Sequence, residues 1–571
     1  SAASDVYKRQ LLGLVVGIGV GALAIGFVEA VLWLNDHFYL TRASRESTSD
    51  HALVTALTIG IPTAGGVIVG LLSRYMPGNR FHGPQDVIKT AQALNPSMPL
   101  RRSALSILAA GVSLGSGASV GQYGPLVHMG ASVGSWISRA TKSDRSVGMI
   151  SIACGCAAAI SAAFHAPIAG LVFSREVVLR HYSLRAFAPI AVSSILAYVV
   201  AHGILNRAPL FRVENLVVAS PWEYLVFVVI GITGAVVATV FMRAIELAAS
   251  SSRKLSWPIP IKTGLAGLAL GVVALQVPEV LGIGQDVLRM AISGDALGGA
   301  DLAQIMLAKL LVTALCLGFG FAGGVFSPAL LIGALYGALI GTGAEWIVGD
   351  LHSPIGIYAV CGMVAVTGPV IGAPLTTVLI IFELTQNFDL ATAALASGAF
   401  ANLVGFRIYG RSYFDVQLQA QGFDLRLGRD KVIAEQYTIR HHVSTDYTAA
   451  KAGSTLRDIR DALVKDKRSE AYVVDHEGHY VGTLTLHRLM ELTSSGVSLD
   501  GLAAEHARPE ALILSPDESI WAAMSKIEDF IGESIPVVEN NQLIGVLFES
   551  TIVSAYLNIL DSNRQEENAA V

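Results

Sequence analysis

Between residues 11 and 406 the chain is a succession of apolar segments, several of them broken by glycine or proline and too short to cross a bilayer. They run roughly over 11–35, 52–74, 103–120, 125–138, 146–179, 186–206, 222–248, 261–277, 303–321, 326–347, 355–366, 373–384 and 389–406. A straight helix needs ~20 apolar residues to span the hydrocarbon. Irregular backbone at that depth is tolerated only where protein buries it or it lines a cavity. Short segments interrupted in matching positions of two halves therefore point to a binding site near the bilayer midplane. The expected fold is an α-helical polytopic membrane protein followed by a soluble α/β domain.

Composition excludes the main competitors. Only 15% of the 571 residues are charged, against ~25% in soluble proteins, and disorder needs the opposite balance. A net charge of −5 without a basic run excludes a nucleic-acid binder. The 57 glycines suit close helix packing and broken membrane helices. The apolar run from Leu11 is too long for a signal peptide and lacks a cleavage site, so it reads as a first membrane helix. The chain opens at Ser1 without a methionine, and its natural start is expected to be missing or replaced. Cys154, Cys156, Cys316 and Cys361 lie in apolar stretches without metal or redox spacing and read as small core hydrophobes.

The two halves match. Cys154-Gly155, Ala166-Pro167 and Glu176 parallel Cys361-Gly362, Ala373-Pro374 and Glu383, with spacings of 13 and 9 residues in both. Upstream, Gly121-Gln122-Tyr123-Gly124-Pro125 parallels Gly324-Val325-Phe326-Ser327-Pro328. This is an internal duplication. From about 430 charge returns, as in Lys465-Asp466-Lys467-Arg468, and strand-like runs appear. Val473-Val474 and Val537-Val538 stand 64 residues apart, each followed by a second strand and a helix (487–493, 550–558), so the tail is also a tandem repeat. Arg407, Arg411, Arg426, Arg429 and Lys431 join it to the last membrane segment and predict a cytoplasmic tail.

In each upstream motif a glycine turn leads into a proline-bearing first helical turn. A helix starting inside the membrane presents free N–H groups and its positive dipole end, which bind an anion without a full charge. Neither loop carries Lys or Arg, and a full charge would hold a halide too tightly to release it. The competing reading, glycines that merely allow helices to pack, weakens because the motif occurs twice at equivalent positions.

These motifs resemble those of the CLC family of chloride channels and proton/chloride antiporters. Gly324–Pro328 is similar to its GxFxP signature, Gly121–Pro125 to GxEGP, and Phe164-His165-Ala166-Pro167-Ile168-Ala169-Gly170 to its F-N-A-P-L-A-G segment. The tail resembles paired CBS (cystathionine-β-synthase-type) domains. The resemblance implies an inverted-repeat homodimer in the lipid bilayer with one anion pathway per subunit, and chloride or similar small anions as cargo. It divides the chain into a CLC-type transmembrane domain, 1–425, with repeats at about 50–207 and 221–407. Tandem CBS domains then occupy 430–571, at about 437–495 and 505–560. The expected location is a bacterial inner or cell membrane.

The departures carry the functional expectation. Tyr123 stands where the family has its gating glutamate, and Val177 where antiporters keep an inner proton-carrying glutamate, with Glu176 just before it. Ionising an ordinary tyrosine at neutral pH costs ~4 kcal/mol, and valine carries no proton. Passive anion conduction is therefore expected, with gate Tyr123; the alternative is an antiporter using Glu176 or His165 as relay. The family's central serine loop reads Arg80-Phe81-His82-Gly83-Pro84 here, so either Phe81 or His82 aligns with the serine, with backbone N–H groups expected to take over its role. The central tyrosine position holds Phe414, with Tyr413 one residue earlier. The expected anion pathway thus comprises Phe81, His82, Gly83, Gly121, Gln122, Tyr123, Gly124, Pro125, Gly324, Val325, Phe326, Ser327, Tyr413 and Phe414.

In the first CBS unit Thr485 matches the nucleotide motif's hydroxyl, but Arg488 replaces its ribose-binding Asp. The second unit lacks both. No cofactor is required by this reading, and a structural or dimer-bracing role stands beside adenine-nucleotide binding. A CBS-regulated divalent-cation transporter would need clustered membrane carboxylates. Glu29, Glu176, Glu246, Glu345 and Glu383 are scattered instead. Hydrolase and metalloprotease motifs are missing, so no enzyme and no metal site are expected.

Overall fold

In the computed structural model, the described residues are 2–93, 96–180, 184–209, 211, 216–294, 297–348, 353–423, 429–509, 512–527, 530 and 532–568. Two compact units divide near residue 424. The first is helical: α1 (Ala2–His37), α2 (His51–Ser73), α3 (Pro84–Ala91), α4 (Leu100–Gly115), α5 (Tyr123–Ala140), α6 (Arg145–Phe164), α7 (Pro167–Phe173) and α8 (Leu184–Tyr198). The second half repeats the pattern as α9 (Glu223–Lys254), α10 (Ile259–Ala274), α11 (Gln285–Ser293), α12 (Gly299–Gly318), α13 (Phe326–Val348), α14 (Ile355–Ile371), α15 (Pro374–Thr385), α16 (Phe388–Ile408) and α17 (Tyr413–Ala420). Among the described residues, 8 helices are long and apolar enough to cross a membrane. This is a multi-pass membrane fold of the inverted-repeat type.

The apolar run 146–179 is not one helix. His165 takes a left-handed conformation (φ 56°) that ends α6, Pro167 starts α7, and a π-helical turn follows over Ser174–Leu179. The second half breaks alike, with Gly372 (φ 69°) before Pro374. Hydrophobicity alone hid the first break because both pieces are apolar.

Duplication is visible in the packing. α5 crosses α6 where Gly130 meets Gly155, and α13 crosses α14 at the equivalent Gly333 and Gly362. A Cβ on Gly155 would sit 1.9 Å from the Gly130 carbonyl oxygen, and one on Gly362 would sit 2.3 Å from that of Gly333. Small residues permit both crossings. A charge is also absorbed in the core: fully buried Lys309 on α12 donates from Nζ to the carbonyls of Val280 (2.9 Å) and Gly282 (2.6 Å).

The second unit is α/β. Strand β1 (Thr448–Lys451) runs parallel to β2 (Glu470–Val474), which pairs antiparallel with β3 (Tyr480–Thr485). Between them lies α18 (Leu456–Asp466), opened by a Thr455/Asp458 capping box. β4 (Ser534–Glu539) and β5 (Gln542–Phe548) form the matching hairpin. The ladders slip at Val473/Val474 and at Val537/Val538, so even the irregularity is duplicated. Helices α19 (Leu486–Ser494) and α20 (Glu549–Asn568) follow the hairpins. Glu470 joins the two copies, accepting from the Ser534 hydroxyl (3.0 Å) and amide (3.3 Å) and from the Tyr472 hydroxyl (3.1 Å).

Candidate anion pathway

The two glycine motifs meet across the interface between the halves. Gly121 N–H donates to the Gly324 carbonyl and Gly324 N–H to that of Gly121, both at 2.7 Å, an antiparallel bridge between equivalent positions. The backbones touch: a Cβ on Gly121 would lie 2.7 Å from the Gly324 oxygen, and one on Gly324 2.9 Å from the Gly124 nitrogen. Gln122 N–H reaches the Ser327 hydroxyl at 3.3 Å. The first intrahelical bonds run from Leu126 to Gln122 and from Ala329 to Val325. The amides of Tyr123 and Gly124, and of Phe326 and Ser327, therefore stand ahead of both ladders. Pro125 and Pro328, each third in its helix, have no amide to strand.

Tyr123 is 3% exposed. Its ring stacks on Phe164 (centroids 3.9 Å, 28° between planes) and meets the edge of Phe326 at 5.3 Å, while Phe164 and Phe326 lie 5.2 Å apart. Three rings thus link the start of α5, the end of α6 and the start of α13. Each such pair contributes about 0.5–1.5 kcal/mol beyond area burial, so the tyrosine is held in place.

One cavity of about 480 Å³ gathers most of the sequence-predicted residues: Phe81, His82, Gly83, Gly124, Pro125, Gly324, Val325, Tyr413 and Phe414 line it. Gly121, Gln122, Tyr123, Phe326 and Ser327 lie outside its wall. Both members of the pairs Phe81/His82 and Tyr413/Phe414 are present. Two amides of the 81–83 loop are already engaged: His82 N–H donates to Ser106 Oγ (3.0 Å) and Gly83 N–H to Asp86 (2.8 Å). Sequence reasoning missed Ser106 and the basic wall formed by Arg80, Arg253 and Lys262. Arg80 is paired with Asp86 at 2.5 Å, and Lys262 Nζ donates to the Ser252 carbonyl at 2.7 Å. Arg253 ends the long apolar α9, a position where the sequence does signal a membrane boundary.

The matched glutamates do something the spacing alone did not reveal. Glu383, from the second half, accepts from the amides of Ile168 and Ala169 at the start of α7, both at 2.8 Å. Glu176, from the first half, accepts from Leu375 (3.1 Å) and Thr376 (3.0 Å) at the start of α15, and from the Thr376 hydroxyl (2.7 Å). Each repeat caps the other. Val177 is buried beside Glu176, and His165 packs near His202 and Tyr198. The remaining acids are used singly: Glu29 pairs with Arg207, Glu246 accepts from the Tyr409 hydroxyl (2.6 Å), and Glu345 is exposed. Buried Glu223, which sequence reasoning passed over, accepts from Ser353 and from the Tyr358 hydroxyl (2.5 Å). In the CBS-like unit Thr485 is the N-cap of α19, accepting from Arg488 N–H at 3.1 Å, and the Arg488 guanidinium turns to Glu491.

The comparisons with known proteins agree with this architecture. Residues 65–405 match the family model described as voltage gated chloride channel, and 439–495 and 503–558 match CBS domains. The chain is 25% identical to chloride channel protein CLC-f of Arabidopsis thaliana, over 95% of this chain and 78% of that protein. It is 30% identical to a putative chloride channel protein ClcB-like of Ralstonia nicotianae, over 58% and 78%. The H(+)/Cl(−) exchange transporter ClcA of Salmonella arizonae is 26% identical over 72% and 87%. Among solved structures, a slow cyanobacterial Cl−/H+ antiporter superposes with TM-score 0.66 at 22% identity, over 72% of this chain and 98% of that one. A eukaryotic CLC transporter superposes with TM-score 0.61 at 19% identity, over 95% and 98%. With duplicated halves, facing glycine-led helix starts and a matching family model over most of its membrane unit, the chain belongs to the voltage-gated chloride channel (CLC) family and carries a C-terminal CBS pair.

Proposed function

We propose that this protein conducts chloride-type anions passively, without stoichiometric proton exchange. The observation that carries the reading is the clamped Tyr123: the position between the two helix starts holds a neutral ring fixed by Phe164 and Phe326. A neutral tyrosine can donate to a passing anion but cannot displace it as a competing charge. The inner position, Val177, has no titratable group, and Glu176 is committed to α15 by three hydrogen bonds. The cavity's basic wall supplies long-range attraction, while the helix starts supply partial charges that release their ligand.

The working unit is proposed to be a homodimer joined through α7, α8, α15 and α16, which leave Ile168, Ile195, Leu375 and Leu403 exposed on the single chain. The protein is placed in a bacterial cell membrane with the CBS pair cytoplasmic, following the basic residues at the end of α16. With Thr485 engaged as a cap and the Asp missing from both copies, the CBS pair is assigned a bracing role that needs no nucleotide.

Proteoliposomes test the central claim. A chloride gradient is expected to collapse rapidly without moving protons. Uphill proton movement driven by chloride and abolished by an uncoupler would overturn the channel reading in favour of an antiporter. Magnesium flux without chloride flux would overturn the anion class.

A further inference from the structure

In the first half lies an imidazole with nothing to bond. His128, on α5 five residues past Tyr123, is 1% exposed, and neither Nδ1 nor Nε2 has a hydrogen-bond partner. A neutral imidazole always carries one N–H donor and one lone pair, and leaving both unmet in a dry core is costly. The ring packed against it is His82, edge to face with centroids 5.6 Å apart. His82 in turn lines the cavity whose wall includes Gly124 and Pro125 of α5 and Gly324 and Val325 just ahead of α13. Because the His82 and Gly83 amides are spent on Ser106 and Asp86 and the Arg80 guanidinium is paired with Asp86, the imidazole is the titratable group this loop offers an anion in the cavity.

We propose that His82 and His128 form one site that takes up an anion together with a proton from the same side of the membrane. This rests on the reading of the cavity as the anion pathway. The two rings are in edge-to-face contact, so a proton taken up by one disfavours a second on the other, and the pair titrates as one coupled unit. A buried pair holds that charge poorly without an anion beside it, and without the proton the loop's full positive charge, Arg80, is already paired with Asp86. Each therefore raises the affinity for the other by the same factor. The charged groups facing the pair are Asp86 on α3, which faces both rings, with Arg80 before that helix and Arg102 on α4 facing His82. Arg80 and Asp86 neutralise each other as an ion pair, and Arg102 adds positive charge. No net anion competes for the site. The proton enters and leaves with the anion on one side, so the pair confers acid-stimulated occupancy and not exchange across the membrane.

The test uses full-length protein purified in detergent, with chloride binding followed by calorimetry at about pH 5.5 and about pH 8, either side of the ordinary imidazole range. Roughly tenfold or greater tightening is expected at the lower pH, with protons taken up when chloride is added to weakly buffered protein. His128→Gln and His82→Gln are each expected to flatten the pH dependence and remove the proton uptake, and either alone suffices if the other does not fold. Equal affinity at both pH values without proton uptake, or pH dependence that survives in a folded variant, overturns the proposal and leaves the anion reading standing. Chloride binding at neither pH, with no chloride flux in liposomes, overturns that reading and this proposal together.

Discussion

Replacing Glu383 and Glu176 in parallel separates a structural carboxylate from a proton carrier. Both cap a helix of the opposite repeat. Glu383 holds two amides, and Glu176 holds two amides plus the Thr376 hydroxyl. The residues whose amides are capped, Ile168 and Leu375, are exposed on the single chain, on helices proposed above to meet a second copy. Where lipid or that copy covers them, an orphaned amide finds no water. Each unmet group then costs about 1–3 kcal/mol, so Glu383→Ala is expected to destabilise the membrane unit by about 4 kcal/mol. Glu176→Ala is expected to cost about 1 kcal/mol more, for the extra hydroxyl. Glutamine keeps one acceptor and turns an NH2 toward the second amide, so each Gln variant loses roughly half of the Ala effect. Thermal unfolding in detergent is expected to rank Glu176→Ala, Glu383→Ala and then the Gln variants, with midpoints lowered on the order of 5 °C for the Ala pair. Proton flux in liposomes is the second readout, and neither Gln variant is expected to change it. If Glu176→Gln left the midpoint unchanged but abolished a proton flux that Glu383→Gln retained, Glu176 would be a relay and the capping argument refuted.

Three further outcomes follow from the geometry. Gly324→Ala places a methyl 2.9 Å from the Gly124 nitrogen, against backbone that cannot step aside; overpacking of this kind costs about 1–3 kcal/mol, and chloride flux is expected to fall at least tenfold in protein that remains folded by gel filtration. Lys309→Met removes two bonds to buried carbonyls and is expected to destabilise by about 2–4 kcal/mol, read as a lowered unfolding midpoint; an unchanged midpoint would mean the cavity left behind hydrates. Glu470→Ala removes the carboxylate that bonds both Ser534 and Tyr472, leaving the direct Tyr472–Ser534 hydrogen bonds between the CBS copies, and is expected to raise hydrogen exchange in the β4–β5 hairpin more than in β1, which these bonds do not reach.

How much of this was legible depended on whether the signal was local. The duplication is a spacing, and spacing predicted which residues are equivalent: Gly121 with Gly324, Glu176 with Glu383, Val473 with Val537. What it does not contain is the partner. That Glu176 caps α15 and not its own repeat follows from the inverted packing of the two halves, which no linear pattern encodes. The break at His165 was hidden because residues on both sides are apolar, and a non-glycine residue in the left-handed region gives no compositional warning. The 81–83 loop gives its His82 amide to Ser106, 24 residues away in sequence, a contact set by tertiary approach. His128 went unnoticed because a lone histidine in a helical apolar stretch is ordinarily a satisfied core residue; only its two unpaired nitrogens mark it as something else.

The four duplicated helix starts fall into two classes, and the contrast says where a mobile anion belongs. The starts of α7 and α15 are closed by Glu383 and Glu176, whose carboxylates are bonded to their first amides. A helix start inside this fold therefore does hold an anionic oxygen, and the protein supplies one permanently wherever the start is structural. At α5 and α13 the equivalent groups are a tyrosine ring and a phenylalanine ring, and no carboxylate reaches the amides of Tyr123, Gly124 or Phe326 among the described hydrogen bonds. Tyr123→Glu would convert an open start into a closed one. A tethered carboxylate competes with free chloride at very high effective concentration, so flux is expected to fall by tenfold or more at neutral pH and to recover as acid protonates the new side chain below about pH 5. Unchanged flux across that range would mean that anions do not pass the start of α5, and would remove the reason for treating the two classes of helix start differently.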